Sequence, residues 1–318
     1  MTKEMQCPLC KGSGAYKEST TQEGVTYDGY VCARCTVLWW EPFKNPGAKW
    51  YQEDERYADR NKHSFLVPNK KHIDVLDWYT EEPGRVLDVG CGVGNFLGEA
   101  KRRGWEVWGI DFDSDAIKTA QDTFALEHVY VSDVASFAET YTGPRFDLIT
   151  FFDVFEHLDD HHVFMSSVKT LLRPGGTLAF SVPYAKAWRF LVPADLPPRH
   201  LTRSNETSLK HFFAQYGCSI GKVSRLPASW YYLVLKLRFK YGKQLSFGGV
   251  RAVEGSLGEG KRQKRETPLT VRVVKLLAKA KDSVVFGIPA FMLWVLLLPS
   301  DGRYTDIYGL IYDTRNKA

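Results

Sequence analysis

The residues from Arg85 to Leu97, RVLDVGCGVGNFL, constrain the fold of this chain more than any other stretch. A short apolar run rich in β-branched residues enters a turn with glycines at 90, 92 and 94, and a helix-like pattern follows. This order of strand, tight turn and helix N-terminus is the unit from which nucleotide-type pockets are built. Strand-like and helix-like runs continue to alternate after it, which predicts a parallel, doubly wound α/β sheet.

The charge around the turn indicates which ligand it takes. A dinucleotide fingerprint has the spacing G-x-G-x-x-G, whereas this chain has G-x-G-x-G with Asp88 two residues before the first glycine. A carboxylate there would repel a pyrophosphate, and it suits a phosphate-free ligand with an ammonium group, such as the methionine end of S-adenosylmethionine. Asp111 ends the next strand-like run, where an acidic side chain can accept both ribose hydroxyls.

These residues resemble motifs I and II of the class I S-adenosylmethionine-dependent methyltransferases, and the resemblance is nearly continuous from Arg85 to Pro183. It implies a Rossmann-like, mostly parallel sheet of seven strands with an antiparallel last strand, and S-adenosylmethionine as the cofactor. It also implies a tyrosine-bearing segment over the cofactor and an acidic side chain against the adenine amino group. The implied cofactor-binding residues are Tyr57, Asp88, Gly90, Cys91, Gly92, Gly94, Asn95, Phe96, Asp111, Phe112, Asp133, Val134, Asp153 and Val154.

The methyl acceptor is expected beyond the carboxyl ends of the strands, next to Asp153 and Pro183. The sequence after Asp153 lacks the Pro-Pro-aromatic and Pro-Cys motifs of enzymes that methylate base amines and cytosine C5, which argues against those two routes. A hydroxyl acceptor benefits from a base with a pKa near 7, and histidine is the natural candidate.

The candidate catalytic residues are therefore His200 and His157. His200 is preferred, because ubiquinone-pathway and glycan methyltransferases that resemble this chain carry a histidine in the same loop. The alternatives are a surface loop histidine at 200 and a residue at 157 that caps and packs the following helix. His161 and His162 lie in a polar helix start, and we expect them to be solvated.

Four of the six cysteines form two pairs, Cys7 with Cys10 and Cys32 with Cys35, in the spacing C-x2-C-x21-C-x2-C. Four thiolates at this spacing predict a tetrahedral structural zinc site, since paired cysteines in a chain without a secretory leader indicate metal rather than disulfides. The resulting ribbon could contact RNA or a protein partner, but we expect it to dock on the chain's own core.

The positive charge is concentrated in one segment. Residues 236–282 hold thirteen Lys and Arg against four Asp and Glu, or +9, whereas the whole chain carries +5. Residues 283–300 then lack any charge, which leaves a helix packed on the domain, a helix pressed into a membrane surface, or a membrane span as alternatives. Because no leader opens the sequence, we expect a cytoplasmic protein, with a peripheral membrane contact through residues 267–300 as an option.

We divide the chain into five parts by composition and pattern. They are a zinc-ribbon-like segment (1–41), an aromatic linker and lid helix (42–82), the methyltransferase core (83–228), a basic insertion with an apolar helix (229–302), and a closing strand with a tail (303–318). The functional hypothesis is O-methylation of a small, glycan or lipid-linked acceptor. An RNA-modifying enzyme or RNA-binding module that uses the ribbon and the basic insertion is the alternative, and a scaffold without activity is a third.

Overall fold

The computed structural model describes residues 5–53, 68–185, 195–228, 233–234, 287–297 and 304–314. The chain forms two compact units. The first comprises residues 1–187, 193–226 and 305–318, and the second comprises residues 188–192 and 227–304.

The described residues form twelve strands and eight α-helices. The strands are β1 (Met5–Gln6), β2 (Ser13–Gln22), β3 (Val25–Cys32), β4 (Leu38–Glu41), β5 (Arg85–Val89), β6 (Glu106–Asp111), β7 (Val129–Val131), β8 (Phe146–Phe152), β9 (Leu172–Pro183), β10 (Thr202–Arg203), β11 (Cys218–Pro227) and β12 (Tyr304–Asp313). The helices are α1 (Ala48–Glu53), α2 (Lys70–Trp78), α3 (Asn95–Arg102), α4 (Ser114–Phe124), α5 (Val134–Thr140), α6 (His161–Leu171), α7 (Glu206–Ala214) and α8 (Gly287–Leu297), and a single 3₁₀ turn covers Phe155–His157.

The central sheet has seven strands in the order β11-β12-β9-β8-β5-β6-β7. The strands from β9 to β7 are parallel to their neighbours, whereas β12 runs antiparallel to β9, from Asp306 opposite Pro183 to Tyr312 opposite Thr177. The predicted seven-stranded, doubly wound sheet with an antiparallel last strand is confirmed.

The central strands have nearly continuous apolar sequences, because helices cover both faces of the sheet. The apolar run predicts a strand over 146–152. Strand β8 has these bounds, and all of its residues except Asp147 are buried. The sequence predicts the next strand over 177–182. Strand β9 is longer, because Leu172 already pairs with Phe146 ahead of a register irregularity at the Pro-Gly-Gly segment. As a result, α6 ends at Leu171.

A second sheet has five strands in the order β1-β2-β3-β4-β10. Its first four strands come from the ribbon, and the fifth comes from the loop after His200. Trp39 pairs with Thr202 and Leu38 with Arg203, and both Trp39 and Trp40 are buried. The ribbon is thus joined to the core of its own chain, as predicted.

In the second unit, α8 is an apolar helix of eleven residues. No helix in the described part of the chain combines the length and the apolar character needed to cross a bilayer. The remaining residues of the predicted apolar helix, 283–286 and 298–300, lie outside the described residues, as does Tyr57 of the predicted lid.

Candidate active site

The turn after β5 is held in a shape that favours glycine at each position. Gly90, Gly92 and Gly94 have φ angles of 74°, 52° and 82°, in the left-handed region that residues with a Cβ avoid. The amide of Gly90 donates to the carbonyl oxygen of Ile110 at 2.8 Å, which ties the turn to the end of β6. A Cβ on Gly90 would lie 2.5 Å from Cγ2 of Val154. The turn therefore also packs closely against the segment that follows β8.

Asp111 lies directly beside this turn. Its Oδ2 accepts the amide of Gly92 at 2.8 Å, and its Oδ1 accepts the amide of Asp113 at 2.9 Å. The backbone therefore orients this side chain beside the turn, where a carboxylate can accept ribose hydroxyls. Phe112, the next residue, is 38% exposed at the same edge.

Asp88 is almost wholly buried, with 3% of its surface exposed. Its Oδ1 accepts the hydroxyl of Thr150, on the neighbouring strand, at 2.6 Å. Burial raises the pKa of Asp88 to about 8, the Thr150 hydrogen bond opposes that rise, and the charge of Asp111 adds to it. A neutral carboxyl at the base of the turn becomes a carboxylate when a cation is placed beside it.

The other predicted cofactor residues divide into edge positions and core positions. Cys91 is buried, and burial raises the pKa of its thiol well above the ordinary value. Its sulfur lies 3.7 Å from the carbonyl oxygen of Gly92 and packs against Gly109 on β6. Phe96 is 1% exposed and packs on Phe152 with ring centroids 5.1 Å apart, which places its side chain in the core beneath α3. Asn95 begins α3 and Val134 begins α5.

Asp133 caps α5. Its Oδ1 accepts the amides of Ala135 and Ser136 at 2.9 and 3.0 Å, and its Oδ2 accepts the Ser136 hydroxyl at 2.7 Å. Burial tends to raise the pKa of Asp133, but these hydrogen bonds lower it below the ordinary value. The carboxylate is thus ionised and exposed at the end of β7, and its orientation is set by its own helix.

A buried lysine that the sequence analysis did not single out meets the end of β8. Lys71, on α2, is 5% exposed, and its ammonium forms an ion pair with Oδ2 of Asp153 and donates to the hydroxyl of Ser181 at 2.9 Å. The same hydroxyl donates to Oδ1 of Asp153 at 2.7 Å. Asp153 has a φ of 56°, a conformation that costs on the order of 1–3 kcal/mol in a non-glycine residue, so these contacts also hold a strained backbone.

Further carboxyl groups act on this ammonium. Burial alone would lower the pKa of Lys71, but the charges of Asp153 and Asp306 raise it above its ordinary value. Burial raises the pKa of Asp306 to about 6, Asp153 adds to the rise, and Lys71 opposes it. The ends of β8, β9 and β12 therefore meet in one charged cluster around the buried Lys71.

The two predicted catalytic histidines lie together. The rings of His157 and His200 have centroids 4.8 Å apart at 72°. Nδ1 of His157 is 2.7 Å from the carbonyl oxygen of Arg199. Because a carbonyl oxygen only accepts, Nδ1 carries the proton, and Nε2 is the basic nitrogen of the neutral ring.

Glu156 is the buried carboxyl beside this pair. The ligand atoms of Glu156, His157 and His200 lie within 4.8 Å of one another. Burial raises the pKa of Glu156 well above its ordinary value, and the charge of Asp153 adds to the effect. Among the described residues its buried Oε2 makes no hydrogen bond, so a carboxyl with spare hydrogen-bonding capacity lies next to the two imidazoles.

His161 does not have the predicted solvated position. It is 1% exposed, and its Nε2 lies 2.9 Å from the carbonyl oxygen of Phe155, to which it donates. Burial lowers the pKa of His161 to about 3, so the ring is neutral. His162 is partly exposed, and its Nε2 donates to the carbonyl of Pro8 at 3.1 Å. The polar neighbours of His161 in the sequence predict a solvated helix start, but the ribbon covers it.

The four predicted metal-ligating cysteines form one cluster, with no disulfide between them. Their sulfurs all lie within 4.8 Å of one another, with Cys7 3.6 Å from Cys35 and Cys10 3.4 Å from Cys32. Tetrahedral zinc with Zn–S bonds of about 2.3 Å places its sulfurs about 3.8 Å apart, so the cluster has the size of a zinc site. A Cβ on Gly12 would lie 3.2 Å from the Cys32 sulfur, which accounts for glycine at this position.

The two cysteine pairs have matching backbone geometry. Lys11 and Thr36, each the residue after a pair, have φ angles of 58° and 64°. Their amides donate to the carbonyls of Cys7 and Cys32 at 3.0 and 3.1 Å. The hydrogen bond from Cys35 lowers the pKa of Cys7 to about 5. Two equivalent knuckles with sulfurs turned to one point fit a shared metal ion.

Lys71, Ser181 and Glu156 escaped the sequence analysis for different reasons. Lys71 follows another lysine at the start of an amphipathic helix, so nothing in its local pattern separates the buried residue from the exposed one. Ser181 is a small residue inside an apolar strand, which could have signalled a polar partner across the sheet. Glu156 directly precedes His157, and nothing in the local sequence indicates that its carboxyl is buried.

The fold and the site together define a class of protein. A doubly wound α/β domain binds its ligand beyond the carboxyl ends of its strands. At that edge this chain brings together the glycine turn, the buried Asp88 under it and Asp111 at the end of the next strand. A family described as a methyltransferase domain matches residues 51–223, just over half of the chain. The chain belongs to this family and is a class I S-adenosylmethionine-dependent methyltransferase.

Curated relatives and a solved structure agree with this assignment. The chain is 27% identical over 186 residues to a ubiquinone biosynthesis O-methyltransferase of Aeromonas salmonicida, a match that covers 54% of this chain and 78% of that protein. It is 37% identical over 162 residues to a protein of the same name from Psychrobacter arcticus, covering 44% of this chain and 61% of that one. Phosphoethanolamine N-methyltransferase 2 of Haemonchus contortus, solved with S-adenosyl-L-methionine, shares the fold at 13% identity and a TM-score of 0.51 over 94% of this chain and 71% of that one.

Proposed function

We propose that this enzyme transfers a methyl group from S-adenosylmethionine to a hydroxyl group of a small acceptor. The observation that carries the proposal is the position of the basic Nε2 of His157, beside His200 and after the strand that neighbours the glycine turn. The two relatives described above are named O-methyltransferases, which supports oxygen as the atom that receives the methyl group. A glycan or lipid-linked molecule with a free hydroxyl fits the same chemistry.

Each group in the site has a defined part in this reaction. S-adenosylmethionine supplies a methyl group bound to a sulfonium sulfur. The leaving group is the neutral thioether that remains when the methyl group is transferred. Asp111 accepts hydrogen bonds from the ribose hydroxyls, and Asp88 provides negative charge for the ammonium end. The acceptor oxygen forms the new C–O bond as the C–S bond breaks in line, and its proton passes to an imidazole of the His157–His200 pair. Glu156 lies beside that pair, with its Oε1 4.0 Å from Nε2 of His157.

We infer that the four-cysteine cluster holds a structural Zn²⁺ ion. Cys7, Cys10, Cys32 and Cys35 would supply four thiolates, and the ion would contribute folding energy to a segment with a small core of its own. The ion lies outside the proposed chemistry.

The exposed face of α8 supports a peripheral membrane contact. Ile288, Phe291, Met292 and Val295, spaced as one helical stripe, are 61%, 50%, 58% and 43% exposed. The +9 charge of residues 236–282 would complement an anionic lipid surface. We expect the chain to sediment with anionic vesicles and not with neutral ones. Met292→Asp should remove this binding, and Val163→Asp, at another exposed apolar position, should retain it. Equal sedimentation of both variants would exclude α8 as the contact.

Radiolabelled S-adenosylmethionine tests the acceptor class. We expect label to pass to phenolic or saccharide hydroxyls in a panel that also contains mixed RNA. His157→Ala and His200→Ala should lower turnover by about 10²–10⁴-fold, the usual contribution of a general base, without changing the affinity for S-adenosylhomocysteine. His128→Ala, which alters a histidine stacked on Trp108 on β6, should leave turnover unchanged. Label that appears in RNA alone would contradict the proposal and support the RNA-modifying alternative.

A further inference from the structure

The ribbon sheet and the loop that carries His200 share backbone hydrogen bonds. The amide of Trp40, on β4, donates to the carbonyl of Leu201 at 3.1 Å, and the amide of Leu201 donates to the carbonyl of Glu156 at 2.8 Å. Leu201 is completely buried between these two partners. The residue after His200 is therefore held between the ribbon and the turn that carries His157.

The segment that follows β4 holds His157 directly. The side-chain amide of Asn45 donates to the carbonyl of His157 at 2.7 Å, and its backbone amide donates to the carboxylate of Asp159 at 3.1 Å. The phenol of Tyr51, which is 2% exposed, lies 3.3 Å from Nδ1 of His157 and donates to the carbonyl of Arg199 at 3.5 Å. The Arg199 guanidinium lies over the ring of Trp50, with its Cζ 5.3 Å from the ring centroid.

These contacts fix which nitrogen of His157 carries its proton. The Nδ1–H donor has the Arg199 carbonyl at 2.7 Å as its main acceptor and the Tyr51 oxygen at 3.3 Å as a second one. With the proton held at Nδ1, Nε2 keeps its lone pair. A ring turned over would lose both contacts. The other tautomer would lose the Arg199 contact, and the Tyr51 hydroxyl would have to turn from the Arg199 carbonyl to donate to Nδ1.

The cysteine knuckles are in turn anchored to the core. The carbonyl of Leu9, between the first two cysteines, accepts the side-chain amide of Gln215 at 3.0 Å, and that of Pro8 accepts Nε2–H of His162 at 3.1 Å. At the second knuckle, the side-chain amide of Asn205 donates to the Thr36 hydroxyl at 3.0 Å. Thr36 lies two residues before β4, so the shape of this knuckle sets where β4 begins.

We propose that the ribbon is a metal-dependent brace for the catalytic loop, and that Asn45 and Tyr51 are positioning residues that hold His157 as the Nδ1–H tautomer. The proposal rests on the proposed function only in assigning a use to the lone pair of Nε2. The brace extends from the four cysteines through β4 to Leu201, and through Asn45 and Tyr51 to His157. Loss of the metal acts on the histidine pair through both branches and leaves the glycine turn intact.

The first test measures the tautomer and needs no acceptor. In the zinc-loaded full chain, the ¹⁵N chemical shifts of the His157 ring should show a protonated Nδ1 and an unprotonated Nε2. Tyr51→Phe and Asn45→Ala should each produce a mixture of tautomers, with unchanged affinity for S-adenosylhomocysteine by calorimetry. Tyr16→Phe, which removes an exposed ribbon hydroxyl bonded to Ser19, should retain the wild-type spectrum. A protonated Nε2 in the wild type, or no change in either variant, would overturn the positioning roles.

The second test removes the metal. Chelation of zinc from the full chain, and the substitution Cys35→Ser, should accelerate amide hydrogen exchange at Leu201 and Trp40 by at least about tenfold, because local opening exposes those hydrogen bonds. Exchange at Gly90 and the affinity for S-adenosylhomocysteine should stay within about twofold, and Cys218→Ser, a buried cysteine outside the ribbon, should match the wild type. Chelated protein with unchanged exchange at Leu201 would overturn the brace, whatever the acceptor assay gives.

Discussion

At the scale of single residues, the site contains two buried ionisable groups that meet the cost of burial in opposite ways. Asp88 lies between strands with a hydroxyl as its partner and avoids the cost by holding a proton. Lys71 remains charged, because Asp153 and Ser181 surround its ammonium. The first solution leaves a site that responds to a cationic ligand, and the second gives a fixed support for the end of β8.

The pKa of Asp88 predicts a pH-dependent cofactor affinity. Because the free carboxyl titrates near pH 8 and the ammonium of the cofactor favours the ionised form, affinity should fall about tenfold per pH unit below 8 and should level off above it. Asp88→Asn should flatten this profile and weaken binding by about 10–100-fold at pH 8.5, the worth of a charged hydrogen bond. Calorimetry in buffers of different ionisation enthalpy should show proton release at pH 7 in the wild type alone.

The same substitution should act in the opposite direction on stability. A folded-state pKa raised above the unfolded one gives a contribution that is fully present below about pH 4 and is lost as the pH rises through about 8. Asp88→Asn should therefore lose less stability than the wild type between pH 7 and pH 9 in urea unfolding. A wild-type affinity that does not change between pH 6 and pH 8.5 would contradict both expectations.

Lys71 and its neighbour Lys70 provide a matched pair. Lys71→Met should lower the free energy of unfolding by about 2 kcal/mol, less than the 3–5 kcal/mol for a fully buried pair, because the side chain of Asp153 is 41% exposed. The side chain of Lys70 is 64% exposed and forms an ion pair with Asp74. Lys70→Met removes this pair and should lower the free energy of unfolding by under about 1 kcal/mol. Urea unfolding with equal m-values measures both, and equal losses would show that burial of Lys71 does not set its contribution.

At the scale of elements, the glycine turn shows how a strand, a helix and a loop come to share one geometry. Gly94 precedes α3 in a left-handed conformation, and a Cβ at this position would lie 2.9 Å from Ala120 and from Leu126. The turn therefore needs glycine both for its backbone angle and for the close approach of α4. Gly104 has a φ of 91° with nothing within 4 Å of its added Cβ, so it needs glycine for the angle alone.

This difference predicts the outcome of two alanine substitutions. Gly104→Ala should cost about 1–2 kcal/mol of unfolding free energy, the penalty of a left-handed non-glycine residue. Gly94→Ala adds overpacking against the core and should cost about 1–3 kcal/mol more, with weaker binding of S-adenosylhomocysteine. Denaturation midpoints give the difference, and an equal cost at the two positions would show that α4 adjusts freely.

The elements that could be predicted from sequence are those whose pattern is local. Strand β8 is an apolar run between polar residues, and α4 has a cap at Asp113 and an amphipathic repeat. These patterns predict a strand over 146–152 and a helix over 114–124, which are the bounds in the structure. Strand β10 has two residues and no periodicity of its own. It exists because β4 offers an open edge to it, which is information held more than 150 residues away.

The same reasoning applies to the site. Asp111 and the glycines were found because a motif fixes their spacing, and the structure brings them together at one edge. The burial of Lys71 and the contacts of Asn45 and Tyr51 with His157 depend on packing between distant segments. Residue type and local spacing do not indicate such contacts.

At the scale of the whole molecule, the ribbon and the methyltransferase domain form one compact unit. The five-stranded sheet takes strands from both, and the knuckles accept hydrogen bonds from α6 and from the end of α7. We therefore expect them to unfold together as long as the metal is bound.

Calorimetry tests this cooperativity. Purified chain should contain one zinc per molecule, and Cys7→Ser should lose it while Cys218→Ser keeps it. Removing the metal should add a separate, lower-temperature transition, because ribbon folding is linked to metal binding. A thermogram unchanged by chelation would show that the small core of the ribbon is sufficient without the ion.

The sharing of one sheet between β4 and β10 also has a consequence for biosynthesis. Residues 38–41 leave the ribosome long before residues 202–203, and at roughly 5–20 residues per second the interval is on the order of 10–30 s. During that time the outer edge of the nascent ribbon has unsatisfied backbone groups, which are a template for pairing with other chains. Translation speed and chaperone access to the nascent chain therefore bear on the yield of this enzyme more than on that of a methyltransferase without a ribbon.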